Sequence, residues 1–167
     1  MVVQVMLTFW AATLAASDVR RRKLPNVWLL AGLALGVVVL VGRGVLPFGH
    51  ALLEGVLALA LALACFVPFY LAGWMGAGDV KFLAVIGWLG GFEILASVFV
   101  IGSLIAGVAA VAIRGFPRAW RRLAGGDWLS DRLAMRVPYG ACLALAFVAV
   151  VWLGHPEWLP AIKGRFA

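Results

Sequence analysis

Residues 79–113 read DVKFLAVIGWLGGFEILASVFVIGSLIAGVAAVAI. How often this stretch crosses a bilayer fixes the arrangement of everything around it. A helix needs about 20 apolar residues to cross a hydrocarbon core, within a range of roughly 17–25. Phe82 to Phe92 is short for a crossing, and Glu93 opens a further run that reaches Ile113. Charge parity decides between one passage and two. With two, the loops 18–26, 74–81 and 114–136 share one side. That side then holds Arg20, Arg21, Arg22, Lys23, Lys81, Arg114, Arg118, Arg121, Arg122, Arg132 and Arg136, and the other holds only Arg43, Lys163 and Arg165. Basic residues gather in cytoplasmic loops. A single passage would move the basic loop 114–136 outside and erase the asymmetry. The stretch therefore reads as two crossings, with both chain termini outside the cytoplasm.

Composition agrees. The 167 residues are 65% hydrophobic and 13% charged, with mean hydropathy +1.08, where a soluble domain carries about 25% charged residues. The expected fold is an all-α integral membrane protein, a polytopic bundle of about six transmembrane helices with a basic interfacial cytoplasmic loop. One domain covers 1–167, with spans near 1–17, 27–46, 51–74, 79–91, 93–113 and 137–154. The first run is read as a retained span, because its basic residues follow the apolar stretch where a signal peptide has them in front. The loop 114–136 interleaves Arg118, Arg121 and Arg122 with Phe116, Trp120 and Trp128, the pattern of a helix lying on an anionic bilayer surface.

The net charge of +7 would suggest nucleic acid in a soluble chain, but here it sits in short loops, so the lipid bilayer is the expected partner and nucleic acid is not. Cys65 and Cys142 lie inside apolar runs and form no CxxC pair, and His50 and His155 have no partner at ligand spacing. No metal and no cofactor are expected. Gly32 and Gly36, and the stripe Gly102, Ala106 and Gly107, read as close helix packing.

Chemistry has few carriers. Besides Asp127 and Asp131 in the basic loop, the acidic residues on the cytoplasmic side are Asp18, ending the first helix, and Asp79, opening the fourth. Each has a plain structural reading. Asp18 neutralises Arg21 or Arg22, and Asp79 caps a helix. Carboxylates at membrane depth are costly, and default to a functional hypothesis. Their surroundings favour the second reading. Gly73, Gly76 and Gly78 precede Asp79 and permit a backbone that larger side chains would exclude, which would let a polypeptide approach the carboxylate. Asp18 is followed by a basic turn and by Pro25 and Asn26, which start the next helix. Two carboxylates at equal depth can meet.

These residues carry a resemblance. Asp18-Val19-Arg20-Arg21-Arg22-Lys23-Leu24-Pro25-Asn26 resembles the first motif of type IV prepilin peptidases, and Gly76-Ala77-Gly78-Asp79-Val80-Lys81 resembles the second, Gly-x-Gly-Asp-hydrophobic-Lys. Val137-Pro138-Tyr139-Gly140-Ala141 is similar to a looser feature at the start of the last helix. The resemblance implies catalytic Asp18 and Asp79, supported by Gly76, Gly78, Lys81, Pro25 and Asn26, with Pro138, Tyr139 and Gly140 substrate-side or structural. It implies a prepilin or pseudopilin substrate, cut between basic leader and apolar helix at the cytoplasmic face of a bacterial inner membrane. The paired-cysteine domain of larger, N-methylating relatives has no counterpart here, so the chain resembles the minimal Tad/Cpa type that serves Flp pili. Oligomeric state stays open.

The implied chemistry is that of paired acids. Two close carboxylates share one proton. The ionised one activates water, and the neutral one polarises the carbonyl and protonates the leaving amine. Helix ends suggest Asp79, at a positive N-terminus, as base and Asp18, at a negative C-terminus, as acid. Other readings remain. A presenilin-like intramembrane protease shares Gly-x-Gly-Asp, but its partner aspartate follows Tyr where Ser17 stands here. A proton- or cation-coupled transporter would want its carboxylates at the midplane. A non-catalytic assembly subunit would need neither acid.

Overall fold

The computed structural model describes residues 2–21, 24–115 and 139–153. Among the described residues the regular elements are helices: α1 (Val2–Arg21), α2 (Asn26–Arg43), α3 (Leu52–Leu71), α4 (Ala77–Gly115) and α5 (Tyr139–Leu153). The first four are long and apolar enough to cross a membrane, and α5 is a shorter apolar helix. Beyond Gly115, the loop expected to lie on the bilayer surface falls outside the described residues, as does Pro138.

Helix boundaries follow local chemistry. Pro25 is extended ahead of α2, and its carbonyl accepts the N–H groups of Trp28 and Leu29. A residue with no N–H to satisfy suits that position. Gly44 ends α2 at φ 72° and returns its N–H to the Leu40 carbonyl, a left-handed stop. α2 therefore ends at Arg43, short of the span expected to reach residue 46.

α4 breaks at Gly91, where φ is 66° and ψ −166°, a region open essentially to glycine alone. The chain doubles back there. Before the break, Gly87 lies against the Ala58 backbone and the Trp88 carbonyl faces Gly55, both on α3. After it, Phe99 meets Phe66, about two to three turns further along α3, at a ring-centre distance of 4.8 Å. The second limb thus returns along α3 towards the level of Asp79. Residues 77–90 and 92–115 are two antiparallel limbs.

The short limb is the hub of the bundle. Every residue from Phe82 to Gly90 is buried, so it needs no polar stripe. Trp10 of α1 packs on Phe82 at 5.5 Å and edge-on to Phe147 of α5 at 5.9 Å. α2 enters through its glycines. Gly32 lies under the Trp10 indole and Val85, and Gly36 under the Trp88 indole. Both indoles donate to α2 carbonyls, Trp10 to Trp28 at 2.6 Å and Trp88 to Leu33 at 3.2 Å. The expected close packing is present, but tryptophans fill the notches. The second glycine stripe divides: Gly102 packs on Leu143, whereas Gly107 faces no described atom within 4 Å.

The outward faces are also apolar. Val38, Val41, Leu53, Leu71, Leu104, Val108 and Val111 are exposed. Water would not tolerate so continuous an apolar exterior, but hydrocarbon solvates it, provided the backbone polar groups are satisfied within the helices.

Candidate active site

Four chain segments meet at one end of the bundle: the last turn of α1, the residues leading into α2, the first turn of α4 and the first turn of α5. Each brings a residue from the sequence motifs.

Asp18 lies near the end of α1 and is 8% exposed. Its Oδ2 accepts the backbone N–H of Ala141 at 2.9 Å. That amide belongs to the first turn of α5, where N–H groups have no intrahelical acceptor. Asp79 is the third residue of α4. Its carboxylate accepts the backbone N–H of Gly76, as an acid in the first turn does when it reaches back to close a helix start. Asp79 is therefore not the N-cap residue itself but closes the helix start from the third position inside it, and its other carboxylate oxygen is directed elsewhere.

That direction is towards Asp18. A side-chain carbon placed on Gly140 would stand 2.9 Å from Asp18 Oδ2 and 3.0 Å from Asp79 Oδ1. Two oxygens so close to one point lie within about 6 Å of each other, a range where like charges repel strongly enough to resist double ionisation. The two acids, 61 positions apart in sequence, thus face each other across the vacant side of a glycine.

The motif flanks interlock beneath them. Gly78 faces Leu24, whose Cβ would lie 3.1 Å from any side-chain carbon at 78. Lys81 Nζ donates to Asn26 Oδ1 at 3.2 Å. Gly76 leaves space for the Asp79 carboxylate, whose Oδ2 would lie 3.0 Å from a side chain there. Pro25 sets the start of α2. Tyr139 is half-buried, with its hydroxyl 2.9 Å from that of Ser103 on the second limb of α4. The side chains of Arg21 and Arg22, offered as neutralising partners of Asp18, lie outside the described residues.

Two participants escape a reading of side-chain types. Ala141 contributes only its amide, which no side chain advertises. Ser103 is one hydroxyl in a long apolar run, and nothing in its neighbours marks it. Among the described residues no group of three His, Cys, Asp or Glu side chains is placed to hold a metal, so what the site offers chemically is a carboxyl pair.

The model of the type IV leader peptidase family matches residues 5–111. The match includes Asp18, Pro25, Asn26, Gly76, Gly78, Asp79 and Lys81, and ends before α5. No curated protein and no solved structure matches the chain. A match over more than half of the sequence, on a helical bundle with an apolar exterior, decides the assignment: the chain belongs to the type IV leader peptidase family and is a membrane peptidase.

Proposed function

We propose that this chain is an aspartic endopeptidase of the bacterial inner membrane that removes the basic leader from prepilins, with Asp18 and Asp79 as its catalytic pair. The observation that carries the reading is the convergence of the two carboxyl groups on Gly140. The pair holds one proton between its members. The ionised carboxylate takes a proton from water as the water oxygen attacks the scissile carbonyl carbon. The protonated one donates a hydrogen bond to the carbonyl oxygen, and the C–N bond then breaks as the leaving nitrogen gains a proton. No covalent intermediate is required.

The bundle crosses the membrane six times in this reading, with the dyad at the cytoplasmic face and both termini periplasmic. A prepilin, with its basic leader in the cytoplasm and its apolar helix in the bilayer, presents its cleavage site at that depth. In this reading the chain is a minimal Tad-type enzyme, which cleaves the leader without N-methylating the product. A transporter reading is less well supported, since the acids sit at helix ends and the break in α4 lies at the opposite end, by Glu54 and His50.

The test is cleavage of a synthetic prepilin by purified protein carrying Asp18→Asn or Asp79→Asn. Asn keeps the shape but cannot exchange the proton, so both variants are expected to lose cleavage while retaining the native melting temperature. Native turnover in either one would remove the dyad.

A further inference from the structure

The start of α5 lies outside the residues matched to the family, yet it touches both acids. Gly140 is not there for its backbone freedom. The described glycines with positive φ are Gly44, Gly49, Gly73 and Gly91, and alanine would favour the helix over glycine. What position 140 lacks is room. A side-chain carbon there would meet Asp18 Oδ2 at 2.9 Å, Asp79 Oδ1 at 3.0 Å and Asp18 Cγ at 3.1 Å. One residue later the Ala141 N–H holds Asp18 Oδ2 at 2.9 Å.

From these contacts we infer that Gly140 and the Ala141 amide are positioning elements of the active site: the missing side chain at 140 lets the two carboxyl groups approach, and the amide fixes the Asp18 side chain in the facing geometry. The inference rests on the dyad reading above. Among the described residues, Tyr139 and Cys142 of α5 lie near the pair. Their side chains can turn about their own bonds, whereas a main-chain N–H on a packed helix cannot rotate away.

The experiment uses the full chain in lipid nanodiscs and a synthetic peptide with a Lys/Arg-rich leader, a glycine at the cut and an apolar helix. Gly140→Ala is expected to lower kcat by about a hundredfold, the usual cost of displacing a catalytic group by about 1 Å. KM should stay within about twofold, since substrate binding is not touched. The melting temperature should not fall. Gly107→Ala, whose added carbon meets no described atom within 4 Å, should keep native kcat. Replacing the Ala141 amide by an ester, with lactic acid at that position, removes the N–H without adding bulk and should lower kcat by about tenfold or more. The Ala141 amide proton should also move upfield in Asp18→Asn, an effect that packing alone would not produce. Native kcat in Gly140→Ala, or loss of activity only in step with a falling melting temperature, overturns the inference. An ester variant with native kcat overturns the role of the amide. If the Asp→Asn variants also cleave normally, the dyad reading itself has failed. If they are inactive and Gly140→Ala is native, only the present inference has.

Discussion

Gly73, Gly76 and Gly78 stand in one short loop and answer three different demands. Gly73 adopts φ 75°, a conformation that costs other residues about 1–2 kcal/mol. No described atom lies within 4 Å of a side chain placed there. Gly76 leaves space for the Asp79 carboxylate, and Gly78 for Leu24. These separate reasons predict separate phenotypes. Gly73→Ala should lower the unfolding free energy by about 1 kcal/mol with kcat unchanged, as read from denaturation in detergent and peptide cleavage on the same sample. Gly76→Ala should do the reverse, because the added carbon meets a carboxylate that can yield. Equal loss of turnover in both would mean that the loop acts as a unit. The aspartates show how far single-residue reasoning reaches. Asp18 ends its own helix, which would disfavour its charge, but α5 begins against it and donates the Ala141 N–H. Asp79 receives the Gly76 N–H in the same way. Each acid therefore has a backbone donor at a helix start, and the helix-end argument no longer sets Asp79 apart as the base.

At the scale of elements, α2 is held by a device that inverts the usual small-residue contact. Gly32 and Gly36 do not bring two backbones together. They form notches for the Trp10 and Trp88 indoles, which donate to the carbonyls of Trp28 and Leu33. Inside a bilayer the hydrophobic effect gives helices no reason to associate, so shape and interhelical hydrogen bonds must do so. Gly36→Leu would expel the Trp88 indole and break its bond, with an expected cost of about 1–3 kcal/mol for overpacking a filled site. Thermal unfolding in nanodiscs measures it, and an unchanged melting temperature would show that α2 is held by other contacts. The break at Gly91 works at the same scale. Its backbone conformation lets a buried short limb end and a second limb begin without an intervening loop, with Glu54 Oε1 standing where a side chain would be.

At the scale of the whole molecule, the proposed topology assigns the loops 18–26, 74–81 and 114–136 and the proposed acid pair to one side of the membrane. The proposed topology therefore puts chemistry and positive charge in the cytoplasm together. Cysteine labelling tests it, with Cys65 and Cys142 first replaced by alanine. Cysteine at Gly126, in the basic loop, should react with an impermeant maleimide only in opened membranes. Cysteine at Gly49, between α2 and α3, should react in intact cells. The opposite pattern would turn the bundle over and place the acids on the wrong side for a cytoplasmic leader.

Much was legible in the residues themselves. Helical spans were visible because a bilayer imposes length and apolarity on every crossing, and those are sums over a window of sequence. The doubling back of residues 79–113 was visible in the charges of distant loops, because sidedness is a global constraint written locally. The two aspartates stood out because acids are few in this chain. The tertiary structure alone decided what each of them touches. Contacts between residues 61 and 123 positions apart depend on how helices rotate and dock, and that rotation follows from how side chains of different helices fit together, not from any single span. It also decided the part played by α5: a glycine and a main-chain N–H have no side-chain chemistry to read, and they act only through the neighbours that packing brings to them.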